Sequence, residues 1–322
     1  MDKYYIIQSC GFDPYYNLAL EEFLLGLAPE QGCILYLWQN QHTVVIGKNQ
    51  NPWAECRTSL LQEEGGHLAR RLSGGGAVYH DLGNLNFTFL CKEKNYDLNK
   101  QLSVIKRAAE LAGIHAEFSG RNDLLTDGKK FSGNAFYHGK INSYHHGTIL
   151  IQANMERLQR YLSPPKAKLE NKGIQSVRSR VVNLVELSPS LTCEKMKEFM
   201  IQAFGEIYGK PADLILSAED QEIVLQMRHR YESEQWLFGR SMAFSCSLEG
   251  QFSFGHMQMQ LQIDGGIITD LQVYTDAMDG QLPEKITGAL KGCPFQSDQI
   301  QDHLASLEVG AELCEFIRKQ DL

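Results

Sequence analysis

Strand-like and helix-like segments alternate irregularly along the 322 residues of this chain. Alternating apolar residues such as Leu85, Phe87 and Phe89 predict strands, whereas leucines at helical spacing predict a helix over residues 14–27. A regular β-α-β repeat would indicate a doubly wound parallel sheet, and none is visible. The order therefore favours an α+β fold with mixed, largely antiparallel sheets flanked by helices.

Short connections between strand patterns predict two hairpins in the N-terminal third of the chain. Segments 34–38 and 43–47 are expected to pair, because only a short polar stretch separates them. Segments 78–79 and 84–91 are expected to pair around a turn that contains Gly83. Further helices are predicted at 99–111, 155–162, 193–208 and 218–229.

The pattern changes near residue 240. Three strand patterns, with Gly265-Gly266 as a turn, are followed by two helical patterns. This order predicts a small C-terminal α/β domain. We place the boundary between Arg240 and Glu249, which gives a large domain at 1–243 and a small accessory domain at 247–322.

Composition narrows the class of protein. The chain is 43% hydrophobic and 22% charged, as is typical of globular proteins. No apolar run reaches the roughly 18 residues that a bilayer span requires. The first residues lack the basic and apolar regions of a secretory signal. We therefore expect a cytoplasmic protein without membrane association.

Metal binding is not predicted. The eight cysteines include no Cys-x-x-Cys pair, which argues against a zinc knuckle or a redox motif. His145 and His146 are adjacent in a strand pattern, so their side chains point to opposite faces and cannot share a metal ion. A structural or substrate-positioning role is expected for these histidines.

The charge is unevenly distributed. A net charge of −8 argues against nucleic-acid binding unless basic residues are concentrated. Residues 157–180 hold seven basic residues and one acid, whereas residues 181–322 hold ten basic residues and 22 acids. Pro164-Pro165 and Gly173 predict that part of the basic stretch, 166–180, is a loop. It is either a solvated surface or a site for an anion, such as a phosphate or an acidic protein.

A glycine triplet, Gly74-Gly75-Gly76, follows two arginines, Arg70 and Arg71. Without side chains, the glycine amides can approach an anion closely, and a guanidinium can neutralise it. The spacing matches neither a P-loop nor a dinucleotide-binding fingerprint. A phosphate-binding loop and a flexible connector are the two interpretations.

A second polar segment contains Lys130, Ser132 and Gly133. In a strand, Lys130 and Ser132 share a face, and Gly133 leaves room for a ligand or another backbone. A lysine at the start of a strand is either solvated or part of a site, and alternation alone does not decide between them.

Taken together, the motifs resemble those of bacterial lipoate-protein ligase A. The segments that carry the resemblance are Asp13-Pro-Tyr-Tyr-Asn-Leu-Ala19, Thr43-Val-Val-Ile-Gly-Lys-Asn-Gln-Asn-Pro-Trp53, Arg70-Arg-Leu-Ser-Gly-Gly-Gly-Ala-Val-Tyr-His-Asp81, Gly120-Arg-Asn-Asp-Leu124, Lys130-Phe-Ser-Gly-Asn-Ala135, His145-His-Gly-Thr148 and Ser176-Val-Arg-Ser-Arg180. The resemblance runs from about residue 8 to the C-terminus. It implies a core related to biotin ligases and class II aminoacyl-tRNA synthetases.

The resemblance also implies a two-step activity. Lipoate and ATP, with Mg²⁺, would give lipoyl-AMP and pyrophosphate. A lysine of a lipoyl domain would then attack the lipoyl-AMP. The implied partners are the lipoyl domains of 2-oxoacid dehydrogenase complexes and the glycine cleavage H protein.

The same resemblance assigns site residues. Lys130 would be the catalytic lysine, in contact with both the carboxylate and the α-phosphate. The positions that would hold ATP are Arg71, Gly76, Ala77, Val78 and Tyr79, with Lys130. The positions that would line the lipoate slot, besides Lys130, are Trp38, Ser73, His80 and His146.

Two further roles remain open at this point. Asp123 would orient the acceptor amine, hold Mg²⁺, or simply pair with Arg121 or a nearby lysine. The basic loop 166–180 lies where the family has an adenylate-binding loop, which would close over lipoyl-AMP and meet an acidic lipoyl domain.

Three other functions compete with the ligase. An octanoyl or lipoyl transferase of the same fold works through a cysteine thioester without ATP, and only Cys91 lies near the expected pocket. A biotin ligase would have a glycine loop with more arginines. A lipoate-binding protein without catalysis would not need both Lys130 and Arg71.

Overall fold

The computed structural model describes residues 3–119, 123–162, 181–239 and 242–320. Its largest element is an eight-stranded sheet with the order β11-β1-β2-β6-β10-β9-β8-β7. These strands are β1 (Lys3–Gln8), β2 (Gly32–Trp38), β6 (Asn84–Lys92), β7 (Glu117–Ser119), β8 (Asp123–Thr126), β9 (Lys129–His138), β10 (Asn142–Leu150) and β11 (Ala212–Asp213). The pairs β11-β1 and β1-β2 are parallel, and the other pairs are antiparallel.

Helices pack on both faces of this sheet and around the smaller sheet described below. They are α1 (Pro14–Gly26), α2 (Pro52–Glu55), α3 (Thr58–Glu63), α4 (Leu98–Leu111), α5 (Met155–Tyr161), α6 (Cys193–Tyr208), α7 (Ala218–Glu232) and α8 (Glu234–Phe238). The apolar residues Leu85, Phe87 and Phe89 of β6 pack with α4 and α6 in one core, as their alternation predicts. Asn86 and Thr88 therefore project from the opposite face.

A second sheet has the order β4-β3-β5, formed by β3 (Thr43–Ile46), β4 (His67–Arg70) and β5 (Val78–His80). Both hairpin predictions are consequently wrong, because β3 and β5 pair with each other instead of with β2 and β6. Both edges of β2 are occupied, by β1 and β6, so β3 finds no free edge there. Gly83, expected in the turn of the second hairpin, instead contacts the residues that follow β10. Its carbonyl accepts from the amides of Ile151 and Gln152, at 3.0 and 2.8 Å.

The C-terminal residues form a third sheet, the antiparallel β12 (Cys246–Phe252), β13 (Gly255–Asp264) and β14 (Ile267–Thr275). Gly265 and Gly266 form the predicted turn with φ of 55° and 77°. The helices α9 (Leu282–Leu290), α10 (Ser297–Leu304) and α11 (Gly310–Arg318) pack on this sheet around a separate apolar core. Helix α11 was not among the predicted helices.

This C-terminal unit touches the large unit beside the glycine triplet. The Gly75 amide donates to the Ala277 carbonyl at 3.1 Å, and the Thr275 amide donates to the Asn49 carbonyl at 3.0 Å. A Cβ on Gly74 would lie 2.4 Å from the Ala277 carbonyl oxygen, so only glycine permits this approach.

The α+β prediction, with mixed and largely antiparallel sheets and a small C-terminal unit, is confirmed. Within the described ranges, no helix is both long enough and apolar enough to traverse a bilayer.

Candidate functional site

A cavity of about 190 Å³ lies between the large sheet, the β3-β4-β5 sheet and the C-terminal unit. The strands of the large sheet contribute Trp38, Asn86, Lys130, Gly133, Asn134, Ala135, His146, Gly147 and Thr148 to its wall. The glycine segment and β5 contribute Gly75, Gly76, Ala77, Val78 and His80, next to Arg71. Leu18, Val45 and Met278 add apolar surface.

The register of the large sheet gives this cavity its long axis. Gly133, Thr148, Asn86 and Trp38 are paired in a row across β9, β10, β6 and β2. Adjacent strands lie about 4.8 Å apart, so the row spans roughly 14 Å. A Cβ on Gly133 would lie 2.9 Å from Lys130 Nζ, so the ammonium lies next to Gly133, at the end of this row that β9 forms. The cavity is thus a slot with a cation at one end and an indole at the other.

Lys130 is held in place by its neighbours. Its Nζ lies 2.7 Å from Asp123 Oδ1, and the two side chains are 35% and 32% exposed. Its carbonyl accepts from the Val182 amide at 2.9 Å. Of the roles considered for Asp123, pairing with a nearby lysine is the contact observed. The ammonium remains reachable from solvent at the mouth of the slot.

The guanidinium of Arg71 organises the glycine segment. It donates to Ser73 Oγ at 2.9 Å and to the carbonyls of Gly74 and Gly76 at 2.7 and 2.8 Å. It also donates to the Val45 carbonyl at 3.2 Å. Burial lowers the pKa of Arg71 to about 10, so the group keeps its charge near neutral pH. Arg71 therefore brings a positive charge to the wall while fixing the shape of the segment.

Arg70 does not share this role, although the sequence pairs it with Arg71 as an anion ligand. Its guanidinium points away from the slot and donates to the carbonyls of Lys48, Gln50 and Leu237, at 2.9, 2.8 and 2.5 Å. Burial lowers its pKa to about 10. Its function is to tie together three chain segments.

Arg70→Met is expected to lower the free energy of unfolding by about 3 kcal/mol or more, because it leaves several buried carbonyls without a donor. Urea unfolding measures this loss. The exposed Arg57→Met serves as the control and should change stability by less than about 0.5 kcal/mol. Equal effects of the two substitutions would contradict the structural role of Arg70.

Behind the slot, a buried polar row links Glu21, His146 and Ser73. Glu21 Oε1 lies 2.7 Å from His146 Nδ1, and His146 Nε2 lies 2.8 Å from Ser73 Oγ. The order resembles a hydrolytic Ser-His-acid triad. However, Ser73 is 1% exposed and its Oγ already accepts from Arg71, so the oxygen is neither accessible nor activated. The row instead holds His146 in the wall and braces the guanidinium.

The other residues predicted to line the site fall into two groups, because successive side chains along a strand point to opposite faces. Val78 and His80 of β5 line the slot, and Trp38 closes its inner end. Tyr79 lies between them and points the other way, with its ring 6.0 Å from that of His42 and 5.7 Å from that of Tyr161. The structure therefore does not bring the Tyr79 side chain to the cavity.

Two buried histidines near the slot are neutral. Burial lowers the pKa of His80 to about 3, with smaller contributions from Arg71 and His146, and burial lowers the pKa of His145 well below its usual value. In the unfolded chain both imidazoles titrate near 6.5. Below that pH the unfolded state therefore binds protons that the folded state excludes.

Stability is consequently expected to fall as the pH decreases below 6.5, by about 1.4 kcal/mol per pH unit for each of these histidines. Urea unfolding between about pH 7.5 and pH 5 measures the slope. His80→Asn should reduce the slope by about 1.4 kcal/mol per pH unit, whereas the exposed His303→Asn should leave it unchanged. A slope unaffected by His80→Asn would contradict the assignment.

Cysteine is absent from the wall of the slot, as far as the described residues go. Cys91, the one candidate thiol, projects from β6 on the same face as Phe87 and Phe89 and is 1% exposed. Asn86 and Thr88 occupy the face toward the slot. The Cys91 thiol thus lies on the wrong side of the sheet for a thioester in this cavity.

The basic loop 166–180 lies outside the described residues. At the start of the basic stretch, Arg160 forms an ion pair with Glu64. Several wall residues were missed by the sequence interpretation, namely Asn86, Thr148 and Met278, as was the buried Glu21. Their positions depend on strand pairing and on contact with the C-terminal unit, which no local pattern reveals.

Comparisons with known proteins place this geometry in a family. Residues 13–205 match the model of the lipoyl protein ligase A/B catalytic domain, and residues 241–322 match that of the bacterial lipoate protein ligase C-terminus. P. falciparum LipL1, solved in complex with lipoate, is 28% identical with a TM-score of 0.86, covering 98% of this chain and 100% of that one.

Two further solved structures share the fold. A bipartite lipoate protein ligase from Thermoplasma acidophilum, described with its E2 lipoyl domain, is 23% identical with a TM-score of 0.64, over 75% of this chain and 98% of that one. A lipoate-protein ligase A bound with ATP is 21% identical with a TM-score of 0.64, over 74% and 98%. Since the catalytic-domain model alone matches more than half of the residues, this chain belongs to the lipoyl protein ligase A/B family.

Proposed function

We propose that this protein is an ATP-dependent lipoate-protein ligase, which forms lipoyl-AMP and transfers the lipoyl group to a lysine of a lipoyl domain. The observation that carries the proposal is the position of Lys130, at the mouth of an apolar slot and beside the glycine segment. A cation there can face a carboxylate and a phosphate at once. The lipoate and ATP bound in the related structures support this choice of substrates.

In the first step, a lipoate carboxylate oxygen attacks the α-phosphorus of ATP, and the bond to pyrophosphate breaks. The two reactants are both anions, so their approach is opposed by charge repulsion. The Lys130 ammonium reduces this repulsion and stabilises the charge that develops at phosphorus. Arg71 and the backbone of residues 76–79 hold the nucleotide in this proposal.

The lipoyl arm lies along the row from Gly133 to Trp38. In this assignment Trp38 and His80 contact the arm at its inner end, whereas His146 forms part of the side wall. Ser73 acts indirectly, since it contacts His146 and Arg71 instead of the cavity. An aliphatic chain suits such a slot, because most of the wall is apolar and only a few polar groups interrupt it.

In the second step, the acceptor lysine amine attacks the carbonyl of lipoyl-AMP, and AMP leaves as the amide forms. The attacking amine must lose a proton. In this proposal Asp123, the carboxylate beside Lys130, orients that amine. A second role for it concerns Mg²⁺, which prefers one or two carboxylates together with substrate phosphates. Asp123 fits that pattern, and the ion would enter with ATP as part of the substrate.

The large unit and the C-terminal unit have separate apolar cores, and we assign them separate roles. Residues 1–243 carry the adenylation chemistry in this proposal, and residues 247–322 form the accessory domain, whose separate core supports the division. The partners we propose are the lipoyl domains of 2-oxoacid dehydrogenase complexes and the glycine cleavage H protein, in the cytoplasm. The E2 lipoyl domain described with the Thermoplasma ligase supports the first of these.

Exchange of labelled pyrophosphate into ATP tests the proposal. The purified protein should catalyse this exchange only when lipoate is present, and it should then add a lipoyl group to a lipoyl domain, as seen by mass spectrometry. Acyl transfer from a carrier protein without ATP and without exchange would instead identify a transferase. Lipoate binding with neither reaction would identify an inert binder.

A further inference from the structure

Two buried hydrogen-bond donors at the inner end of the slot have no acceptor among the described residues. They are His80 Nε2 and Asn86 Nδ2, in side chains that are 3% and 1% exposed. Both residues line the cavity. Buried donors are almost always paired, so two unpaired donors at one end of a binding slot indicate that the ligand supplies an acceptor there.

A chain of hydrogen bonds fixes which nitrogen of His80 carries the proton. Asn17 Nδ2 donates to the Gln39 carbonyl at 2.8 Å and to Asn40 Oδ1 at 3.0 Å. The amide of Asn40 is therefore oriented with its Nδ2 toward His80 Nδ1, at 3.2 Å. Because Nδ1 accepts this bond, the proton of the neutral ring is on Nε2.

His80 lies at the end of the slot that is opposite Lys130. Its ring lies 6.1 Å from that of Trp38, at the β2 end of the row. Asn86 is on β6, two strands from β9, which carries Lys130. A ligand whose carboxylate meets Lys130 thus reaches His80 and Asn86 with the opposite end of its chain.

We propose that His80 Nε2–H, assisted by Asn86, donates a hydrogen bond to a sulfur of the lipoate dithiolane and so selects lipoate over saturated acids such as octanoate. This inference rests on the proposed function. A disulfide sulfur, like a thioether sulfur, is a weak acceptor, whereas a methyl group accepts nothing. Octanoate would displace water from this end of the slot and leave both donors unpaired, which lowers affinity.

Paired His80 variants test this role. His80→Asn keeps an acceptor for Asn40 but removes the donor at the Nε2 position, whereas His80→Gln retains a donor there. We expect His80→Asn to lower the lipoate-to-octanoate ratio of kcat/KM in pyrophosphate exchange by about tenfold. His80→Gln should remain within about twofold of wild type. His42→Asn is the control, since His42 Nε2 is also buried and unpaired but lies outside the slot wall.

A sulfur-free analogue separates hydrogen bonding from shape. Cyclopentyl-pentanoate has methylenes in place of the two sulfurs and a similar ring. Wild-type protein should bind it about tenfold more weakly than lipoate, and His80→Asn should bind the two acids with nearly equal affinity. The wild-type comparison needs no variant, so it tests the proposal even if His80→Asn does not fold.

Equal binding of lipoate and the analogue by wild-type protein would overturn the inference while leaving the ligase activity intact. So would an unchanged ratio in a folded His80→Asn variant. Failure of the proposed function is a different result, because wild-type protein would then show no exchange with either acid.

Discussion

Lys130→Ala is expected to reduce lipoate-dependent pyrophosphate exchange by about 100- to 1000-fold. The loss follows from the charges, since the variant would bring a carboxylate and a triphosphate together without the cation that lies over Gly133. Stability should change little, because the Lys130 side chain is 35% exposed and its partner Asp123 is 32% exposed. Exchange of labelled pyrophosphate at saturating lipoate and ATP is the measurement.

The neighbouring residue provides a matched control. Lys129 is exposed and lies outside the wall of the slot, so Lys129→Ala removes the same charge from the same strand. It should retain nearly full exchange. Persistence of exchange in Lys130→Ala, or a similar loss in both variants, would rule out the specific role of Lys130.

Gly133→Ala is expected to have the second largest effect, a loss of exchange of about 10- to 100-fold without unfolding. The new methyl would lie 2.9 Å from both Cε and Nζ of Lys130, and its next contact, Thr148 Oγ1, is at an ordinary 3.8 Å. The end of a flexible lysine moves aside easily, so the methyl displaces the ammonium and leaves the sheet intact. Exchange and urea unfolding together measure the two consequences.

Coupling between the two substitutions gives a sharper test. If Gly133→Ala acts by moving the ammonium, it should have little further effect in a Lys130→Ala background. Gly288→Ala is the control, because a Cβ at Gly288 meets no atom within 4 Å. Additive losses in the double variant would show that Gly133 acts through some other contact.

Much of the fold was accessible to local patterns. The alternation of Leu85, Phe87 and Phe89 predicts a strand with one buried face, and that face forms the main core. Helical spacing likewise predicts residues 193–208, which match α6. In such segments the local period and the tertiary packing agree, because each element buries the face that its own sequence makes apolar.

Strand pairing was less accessible. The hairpins predicted for 34–38 with 43–47 and for 78–79 with 84–91 do not form, since β3 and β5 leave the large sheet and pair with each other. Short connections favour local pairing, but β2 already pairs with β1 on one edge and with β6 on the other. Nothing in the alternation of a short strand indicates which neighbour it will find.

The arginine pair shows the same limit at the site. Arg70 and Arg71 are adjacent and chemically identical, so the sequence offers them equally as anion ligands. The two side chains point to opposite sides of the chain. Arg71 therefore donates to the glycine segment, whereas Arg70 donates to the carbonyls of Lys48 and Leu237. The Tyr79 side chain points away from the slot for the same reason, because successive side chains of β5 point to opposite faces and those of Val78 and His80 line the slot.

Residue types and spacings along short stretches of chain predict the fold class and the family resemblance, and they single out the glycine segment and Lys130 as candidates for the site. The three-dimensional arrangement was needed to bring Lys130 and Trp38 to opposite ends of one slot, to turn Cys91 to the far face of the sheet, and to set Asn40 Nδ2 beside His80 Nδ1. Those features depend on register and on hydrogen bonds between distant segments. Their physical cause is the pairing of four strands, whose partners local propensity does not specify.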